Sequence, residues 1–486
     1  MLGGRATPEG TKRRSGERPG YRLLGPTGLN VSIVGFGGYR TGRTDPAHRE
    51  ALRAALAAGV NLIDTSSNYV FGDSERLMGE VLAEGGVPRD EVVVVTKVGY
   101  VQGPNLELAQ QRELEGRPFP EMVKYADGIW HCIAPEFIED QLGRALERLG
   151  LETVDVLLLH NPEYFLSDAS HRQPPPPLDE TRELFYGRLR RAFAYLDQAV
   201  EDGRIGAFGV SSNSCVAPTD APEATSVTRM FEASNRRMAV LQLPYNLLET
   251  GALLERNTPD ETALEAAMKR ELGVLVNRPL NAMGPNGGLV RLVDPPRAGQ
   301  PGSDEALRAR HEALGRREAA LGEFFPAAHP PRAAELLEHH WDEVRSAQGF
   351  AYFVRGDLLT DARRGLYDVL ESVDRQPSPA QAEQFQAYQE ELNALIERLH
   401  ARAQQQDPRV AAAIRARLEP HLPPELHGES LSRLALDFVA SSPGVTSVLN
   451  GMRDPAYVAD AAGVMSLPPI PDVFAVARAF SAASAR

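Results

Sequence analysis

EVVVVTK at residues 91–97 is a run of branched aliphatic residues that ends on a lysine, and VDVLLLH at 154–160 repeats the design with a histidine. Neither run alternates apolar with polar. Both are predominantly apolar, the pattern of a parallel strand covered on its two faces. Working outward, runs of the same kind occur at 31–38 (VSIVGFGG), 61–65, 205–212, 238–245, 273–280 and 445–451. Helical segments separate them. One starts near Pro46, one covers Glu75–Leu82, one covers Pro135–Leu149, and others fall near 183–202, 260–271 and 429–441. Eight strands alternating with helices predict an α/β fold of the (β/α)₈ barrel type. A doubly wound open sheet is the competing architecture. It usually carries Gly-x-Gly-x-x-Gly after its first strand, and GFGG at 35–38 lacks that spacing. These glycines are expected to let the backbone turn and approach a ligand.

Composition excludes several classes. Lysine plus arginine number 52 against 66 acids, a net charge of −14, which argues against nucleic acid or an anionic membrane as the main partner. The two cysteines, Cys132 and Cys215, cannot build a disulfide framework or a four-thiolate metal site. No stretch approaches the roughly 20 apolar residues of a membrane span. A cytoplasmic setting is the simplest expectation. Residues 1–20 combine Gly, Pro and charge with a basic patch at Lys12–Arg14, and are expected to form a disordered tail. The barrel is assigned to 21–290 and 429–486. Residues 291–428 do not fit a minimal barrel and are expected to be a helical insertion. There Leu336, Leu337, His340 and Trp341 share one face, and Tyr388, Leu392, Leu395, Ile396 and Leu399 form an apolar stripe read as core. Gly99–Ile133, with Trp130 and His131, reads as a long loop.

In such barrels chemistry gathers at the C-terminal strand ends. Asp64 ends the second strand and Tyr69 follows five residues later. Lys97 ends the third strand and His160 the fourth. Ser211, Ser212 and Asn213 follow the fifth, and Gln242 closes the sixth. Singly, each is an ordinary cap, solvated charge or buried histidine. Together the fold brings four ionisable groups into one mouth. Reducing a carbonyl needs a proton for oxygen, and a phenol holds its proton at neutral pH. Lys97 can favour its release, Asp64 can hold Lys97, and His160 can orient the carbonyl oxygen. No side chain carries hydride, so a nicotinamide must, with Ser211, Ser212, Asn213 and Gln242 as partners for its carboxamide. A metal site built from Asp64, His131 and His160 is disfavoured by the neighbouring lysine, and no metal is expected.

The motifs resemble the aldo-keto reductase superfamily. YRLLGPTGLNVSIVGFGG at 21–38 is similar to the family's entry into the barrel, and NLIDTSSNYVFGDSERLMGEVL at 61–82 to its Asp-to-Tyr motif. VVTKVGY at 94–100 resembles the lysine strand and LLLHNPE at 157–163 the histidine strand. RIGAFGVSSN at 204–213 and AVLQLPYNLL at 239–248 resemble the nicotinamide strands, and LALDFVASSPGVTSVLNGMRDPAYVADA at 434–461 the adenosine segment. The resemblance implies a catalytic tetrad of Asp64, Tyr69, Lys97 and His160. It implies cofactor contacts from Gly38, Tyr39, Ser211, Ser212, Asn213, Gln242 and the turn Asn277, Arg278, Pro279, Leu280. Asn450, Gly451, Met452, Arg453 and Tyr457 complete the implied set. Arg453 suits a 2′-phosphate, so NADP(H) is favoured over NAD(H). Two departures stand out. Asn277 occupies the place where many members stack an aromatic on the nicotinamide, and Tyr457 and Ala461 replace amide side chains near adenine. The implied activity is reduction of an aldehyde, ketone or sugar carbonyl, or its reverse. The alternative is a cofactor-binding regulatory or scaffold subunit. The insertion follows the seventh strand and is expected to lid or wall the substrate pocket.

Overall fold

The computed structural model describes residues 1–283, 289–294, 303–341, 353–373, 375–403 and 408–484. Two compact units emerge. One joins Met1–Leu292 with Ile414–Arg486, and the other is Val293–Ala413.

The first unit holds a closed barrel of eight parallel strands. They are β1 (Val34–Gly37), β2 (Leu62–Asp64), β3 (Val93–Val98), β4 (Val154–His160), β5 (Ile205–Ser211), β6 (Val240–Pro244), β7 (Gly273–Asn277) and β8 (Val445–Asn450). Each apolar run found in the sequence overlaps one of them. Closure comes from β8 against β1, with Val448 opposite Val34 and Asn450 opposite Phe36. The stretch at 31–38 is divided, however. Asn30–Ser32 pairs antiparallel with Tyr21–Leu23, and only Val34–Gly37 enters the barrel. The residues joining that hairpin seal the barrel floor. Leu24 and Leu29 are buried in one cluster with Val93, Val156, Val240 and Leu275. The backbone comes so close that a Cβ on Gly25 (φ +51°) would stand 2.4 Å from the Gly273 nitrogen. Only glycine meets both demands.

Two expectations are corrected here. Residues 1–20 are not a disordered tail. Pro8–Ser15 is a helix, and the Thr7 side chain caps it by accepting from the Gly10 N–H. The Ala6 N–H donates to buried Asp155 at 2.6 Å, which also takes bonds from Arg89 and the Val94 N–H. The helix signal was a Thr-Pro start and a Gly16 stop. Gly99–Ile133 is not a structureless loop. It contains a helix, Pro104–Leu114, and a three-stranded antiparallel sheet of Tyr100–Val101, Ile129–His131 and Val123–Ala126. The glycines at 35–38 also meet crowding inside the protein. A Cβ on Gly38 would meet Met78 Cε and Ser74 Oγ at 2.6 Å.

The helix Pro135–Leu149 falls where its spacing puts it and ends on Gly150 in the left-handed region. The second unit is helical, with Asp304–Phe324, Ala333–His339, Leu359–Glu371 and Pro379–Ala403. Its core joins Leu307, Leu314, Leu321 and Leu337 to Trp341, Tyr388, Leu392, Leu395 and Leu399, so both apolar stripes are core. The chain 414–428 groups with the barrel, where Leu418 is fully buried and Arg417 lies over the Phe480 ring. Within the insertion, 295–302, 342–352, 374 and 404–407 lie outside the described residues.

Leu24→Ala should open a cavity in the floor and cost about 2–5 kcal/mol in urea unfolding. A loss under about 0.5 kcal/mol would show that the hairpin does not seal the core.

Candidate active site

The C-terminal ends of β2, β3, β4, β5 and β6 converge as the strand register dictates. His160 stands opposite Ser211, and Ser211 opposite Gln242. At the centre is Lys97, with no exposed surface. Its Nζ donates to Asp64 Oδ2 at 2.7 Å, to the Thr65 carbonyl at 2.8 Å and to the Tyr69 hydroxyl at 3.0 Å. An ammonium has three protons, and here each has an acceptor. Burial pushes Lys97 down from the ordinary lysine value, and Asp64 opposes the push. Asp64 is pushed up by burial and held back by Lys97 and Gln242. The three acceptors on Nζ argue for the charged pair.

Gln242 Nε2 donates to Asp64 Oδ1 at 2.9 Å, and the Ser211 hydroxyl donates to Gln242 Oε1 at 3.1 Å. Both were expected as carboxamide partners, and both are tied into the Asp64 network. The Ser212 hydroxyl lies 2.9 Å from Thr225 Oγ1. Asn213 is exposed. Gly38 is backbone-bonded to β2, its N–H donating to the Asp64 carbonyl at 2.8 Å.

Tyr69 sits in a short turn after β2, with Tyr39 edge-on at 5.3 Å and His160 edge-on at 6.0 Å. Burial first, then Asp64 and Tyr39, raise its pKa well above the ordinary phenol value, so it is protonated at neutral pH. His160 is pushed well below the ordinary imidazole value by burial, and further by Lys97 and His131, so it is neutral. Its tautomer depends on a relay absent from the sequence reading. Ser66 Oγ lies 3.1 Å from His160 Nδ1 and 2.7 Å from Asn68 Oδ1. With the Asn68 amide oxygen facing Ser66, the hydroxyl donates to Asn68 and Nδ1 holds the imidazole proton. Turning the amide over reverses the chain, and Nε2 then carries the proton and can donate to a carbonyl oxygen.

Sequence reasoning also missed an aromatic wall. Tyr100 packs edge-on against His160 at 4.7 Å and receives the Asn161 Nδ2 hydrogen bond at 2.8 Å. His131 stacks on Tyr164 and lies 2.7 Å from the His160 carbonyl. Asn161 and Tyr100 stand one residue after His160 and three after Lys97, so adjacency to the strand ends was the available signal.

The remaining residues lie at the ends of β7 and β8. Asn277 closes β7, and its Oδ1 is buried without a partner. Arg278 adopts φ +54° and reaches Glu249 at 3.2 Å. Pro279 is buried, and the Leu280 carbonyl accepts from the Leu292 N–H at 3.0 Å. Asn450 closes β8 and Gly451 is exposed. The Met452 side chain is wholly buried, leaving only its backbone to face a ligand. Tyr457 is exposed on the helix Pro455–Gly463. Arg291, outside the sequence-based set, joins this end. Burial, then the charges of Arg453 and Arg40, depress its pKa, and its Nε is buried without a partner. Among the described residues no cluster of three or more His, Cys, Asp or Glu could hold a metal ion, and no helix is long and apolar enough to cross a membrane.

Residues 33–305 match the model of the Aldo/keto reductase family. The chain is similar to an NADH-specific methylglyoxal reductase of Escherichia coli, with 27% identity over 39% of this chain and 51% of that protein. It is similar to a D-threo-aldose 1-dehydrogenase of a Pseudomonas species, with 27% identity over 56% of this chain and 71% of that protein. A putative voltage-gated potassium channel subunit beta of Schizosaccharomyces pombe is 30% identical over 39% of this chain and 44% of its own length. The chain thus spans about half the length of the first curated relatives it matches. A solved aldo-keto reductase from Bacillus halodurans overlays with TM-score 0.48 and 16% identity, covering 96% of each chain.

Histidine-labelled NMR spectra should find the His160 imidazole neutral from about pH 6 to pH 9. A protonation midpoint near 6.5 would contradict this reading of the buried site. In Asn68→Asp, which can only accept from Ser66, the signal should report the proton on Nδ1.

Proposed function

Because the chain belongs to the aldo/keto reductase family, we propose that it interconverts a small-molecule carbonyl and alcohol with a nicotinamide nucleotide, Tyr69 exchanging the proton. One observation carries the reading: the Tyr69 oxygen accepts from Lys97 Nζ at 3.0 Å, so its own O–H is left for a substrate. A phenol in this position donates its proton as the carbonyl oxygen gains charge. The ammonium 3.0 Å away then stabilises the phenolate left behind. Asp64 holds that ammonium in place. His160, in its Nε2-protonated form, directs the carbonyl oxygen towards Tyr69. The same groups run the reverse reaction, with Tyr69 as base.

The residues fit a nicotinamide nucleotide, which supplies or accepts hydride when bound. Ser211, Ser212, Asn213 and Gln242 surround the place for a carboxamide, with Gly38, Tyr39 and the turn Asn277–Leu280 beside it. Arg40, Arg291 and Arg453 act on one another electrostatically, and the forces on Arg291 include no carboxylate. Cations around a buried, unpartnered guanidinium Nε suit a phosphate. Asn450, Gly451, Met452 and Tyr457 flank them. This favours NADP(H) over NAD(H), although one relative is named NADH-specific. The two enzymes named above act on a ketoaldehyde and on aldoses, which supports aldehydes and sugars as the first substrates to try. The channel-subunit relative motivates a second reading, cofactor binding without turnover.

Tyr69→Phe should lower kcat by about 10²–10⁴-fold while NADPH affinity, read by nicotinamide fluorescence, changes little. Arg453→Ala should weaken NADPH by about 10–100-fold and NADH far less. A wild-type chain that binds neither nucleotide would sink the proposal, and binding without turnover on any aldehyde or aldose would favour the regulatory reading. We also assign substrate choice to Val293–Ala413, from its place in the chain after β7. Excising it should reorder kcat/KM across a substrate panel and leave nucleotide affinity alone, and an unchanged order would remove the assignment.

A further inference from the structure

Glu163 is a buried acid that the proposed chemistry does not use. It directly precedes the helix Tyr164–His171, yet its side chain makes no capping bond to that helix. Its Oε1 instead crosses to the loop after β5, accepting the Asn213 N–H at 2.6 Å and the Ser214 N–H at 3.3 Å. Its Oε2 is buried with no partner. A second stitch runs the same way, from the Asn161 N–H to the Ser211 carbonyl at 2.7 Å. The loop after β4 thus grips the loop after β5 at both ends. The first loop also carries Asn161, whose amide holds Tyr100 against His160. The second carries the residues proposed to receive the carboxamide.

Burial of a carboxylate without a cation is costly unless hydrogen bonds offset it. The groups acting on Glu163 are the Asn213 and Ser214 N–H groups, its own N–H and the Ser212 hydroxyl, all favouring the ionised form against burial. The titratable groups that sense it are the Cys215 thiol on the β5 loop and the Tyr100 phenol on the inserted sheet, both raised and therefore uncharged at neutral pH. No lysine, arginine or histidine is among the groups that set its charge. Its pKa is pushed up to about 7. An ionised acceptor holds an N–H about twice as strongly as a neutral one.

Resting on the reductase reading, we propose that Glu163 is a positioning residue whose carboxylate fixes the 211–214 loop, so that nucleotide affinity follows its charge. Ionised, Glu163 draws the two N–H groups inward and holds the loop ready for the nicotinamide. Protonated, it releases them and the loop loosens. The sign is fixed: affinity is highest above the Glu163 pKa and falls as pH drops through it. The inference concerns binding, so turnover at saturating nucleotide should change least.

The test is a fluorescence titration of the full chain with NADPH from about pH 6 to pH 8.5. The wild type and Glu163→Gln are compared, so that titration of the nucleotide's own phosphate cancels. The wild type should lose about threefold to tenfold in affinity over this range beyond any loss in Glu163→Gln, because one linked proton gives at most tenfold per pH unit. Glu163→Ala should raise the Kd at every pH and the KM for nucleotide with it, leaving kcat nearly unchanged. If Glu163→Gln follows the wild-type pH profile, the inference is wrong, even if Glu163→Ala fails to fold. A wild type that binds NADPH separates that outcome from failure of the reductase reading. A wild type that binds neither NADPH nor NADH removes both.

Discussion

A fully buried ammonium must place all three of its protons, and Lys97 does so on Asp64, Thr65 and Tyr69. This demand organises the mouth of the barrel. Asp64 has one oxygen on Lys97, so its other oxygen takes the Gln242 amide, and Gln242 in turn takes the Ser211 hydroxyl. A single charge therefore fixes side chains on β2, β3, β5 and β6. Its third proton fixes where Tyr69 must lie, and by elimination where the phenolic hydrogen is left to point.

The two ends of the site divide the electrostatic labour. Around Tyr69 and His160 burial keeps both groups neutral, and the buried pair of Lys97 and Asp64 carries compensating charges. At the β8 end the charges of Arg453 and Arg40 both act on Arg291. On the reading proposed above, neutral groups at one end and cations at the other suit a dinucleotide whose reduced redox ring is uncharged and whose phosphates are anionic.

Most of the barrel was legible because its strands are buried on both faces, so Val and Leu dominate runs such as 92–95 and 156–159 with no surface compromise. The grouping of Asp64, Tyr69, Lys97 and His160 was legible because each ends such a run or follows one closely. What escaped notice depends on contacts between segments distant in the chain. Ser66, Tyr100, Asn161 and Glu163 look like ordinary loop residues until the fold sets them against His160 and the β5 loop. The helix Pro8–Ser15 was hidden by composition, since its burial rests on Asp90 and Asp155, far along the sequence. Arg291 lay at the edge of the insertion, where no periodicity distinguishes a half-buried residue from an exposed one.

The pairing of Val448 with Val34 has a kinetic meaning. The barrel cannot close until residues more than four hundred positions apart meet, and seven strands must wait with two open edges. The cost of closing a loop rises with its flexible length. A Val293–Ala413 segment with its own core replaces much of that length with a folded body. Early folding of the insertion would shorten the search for the eighth strand, and would limit the time for which two unpaired edges are exposed to other chains.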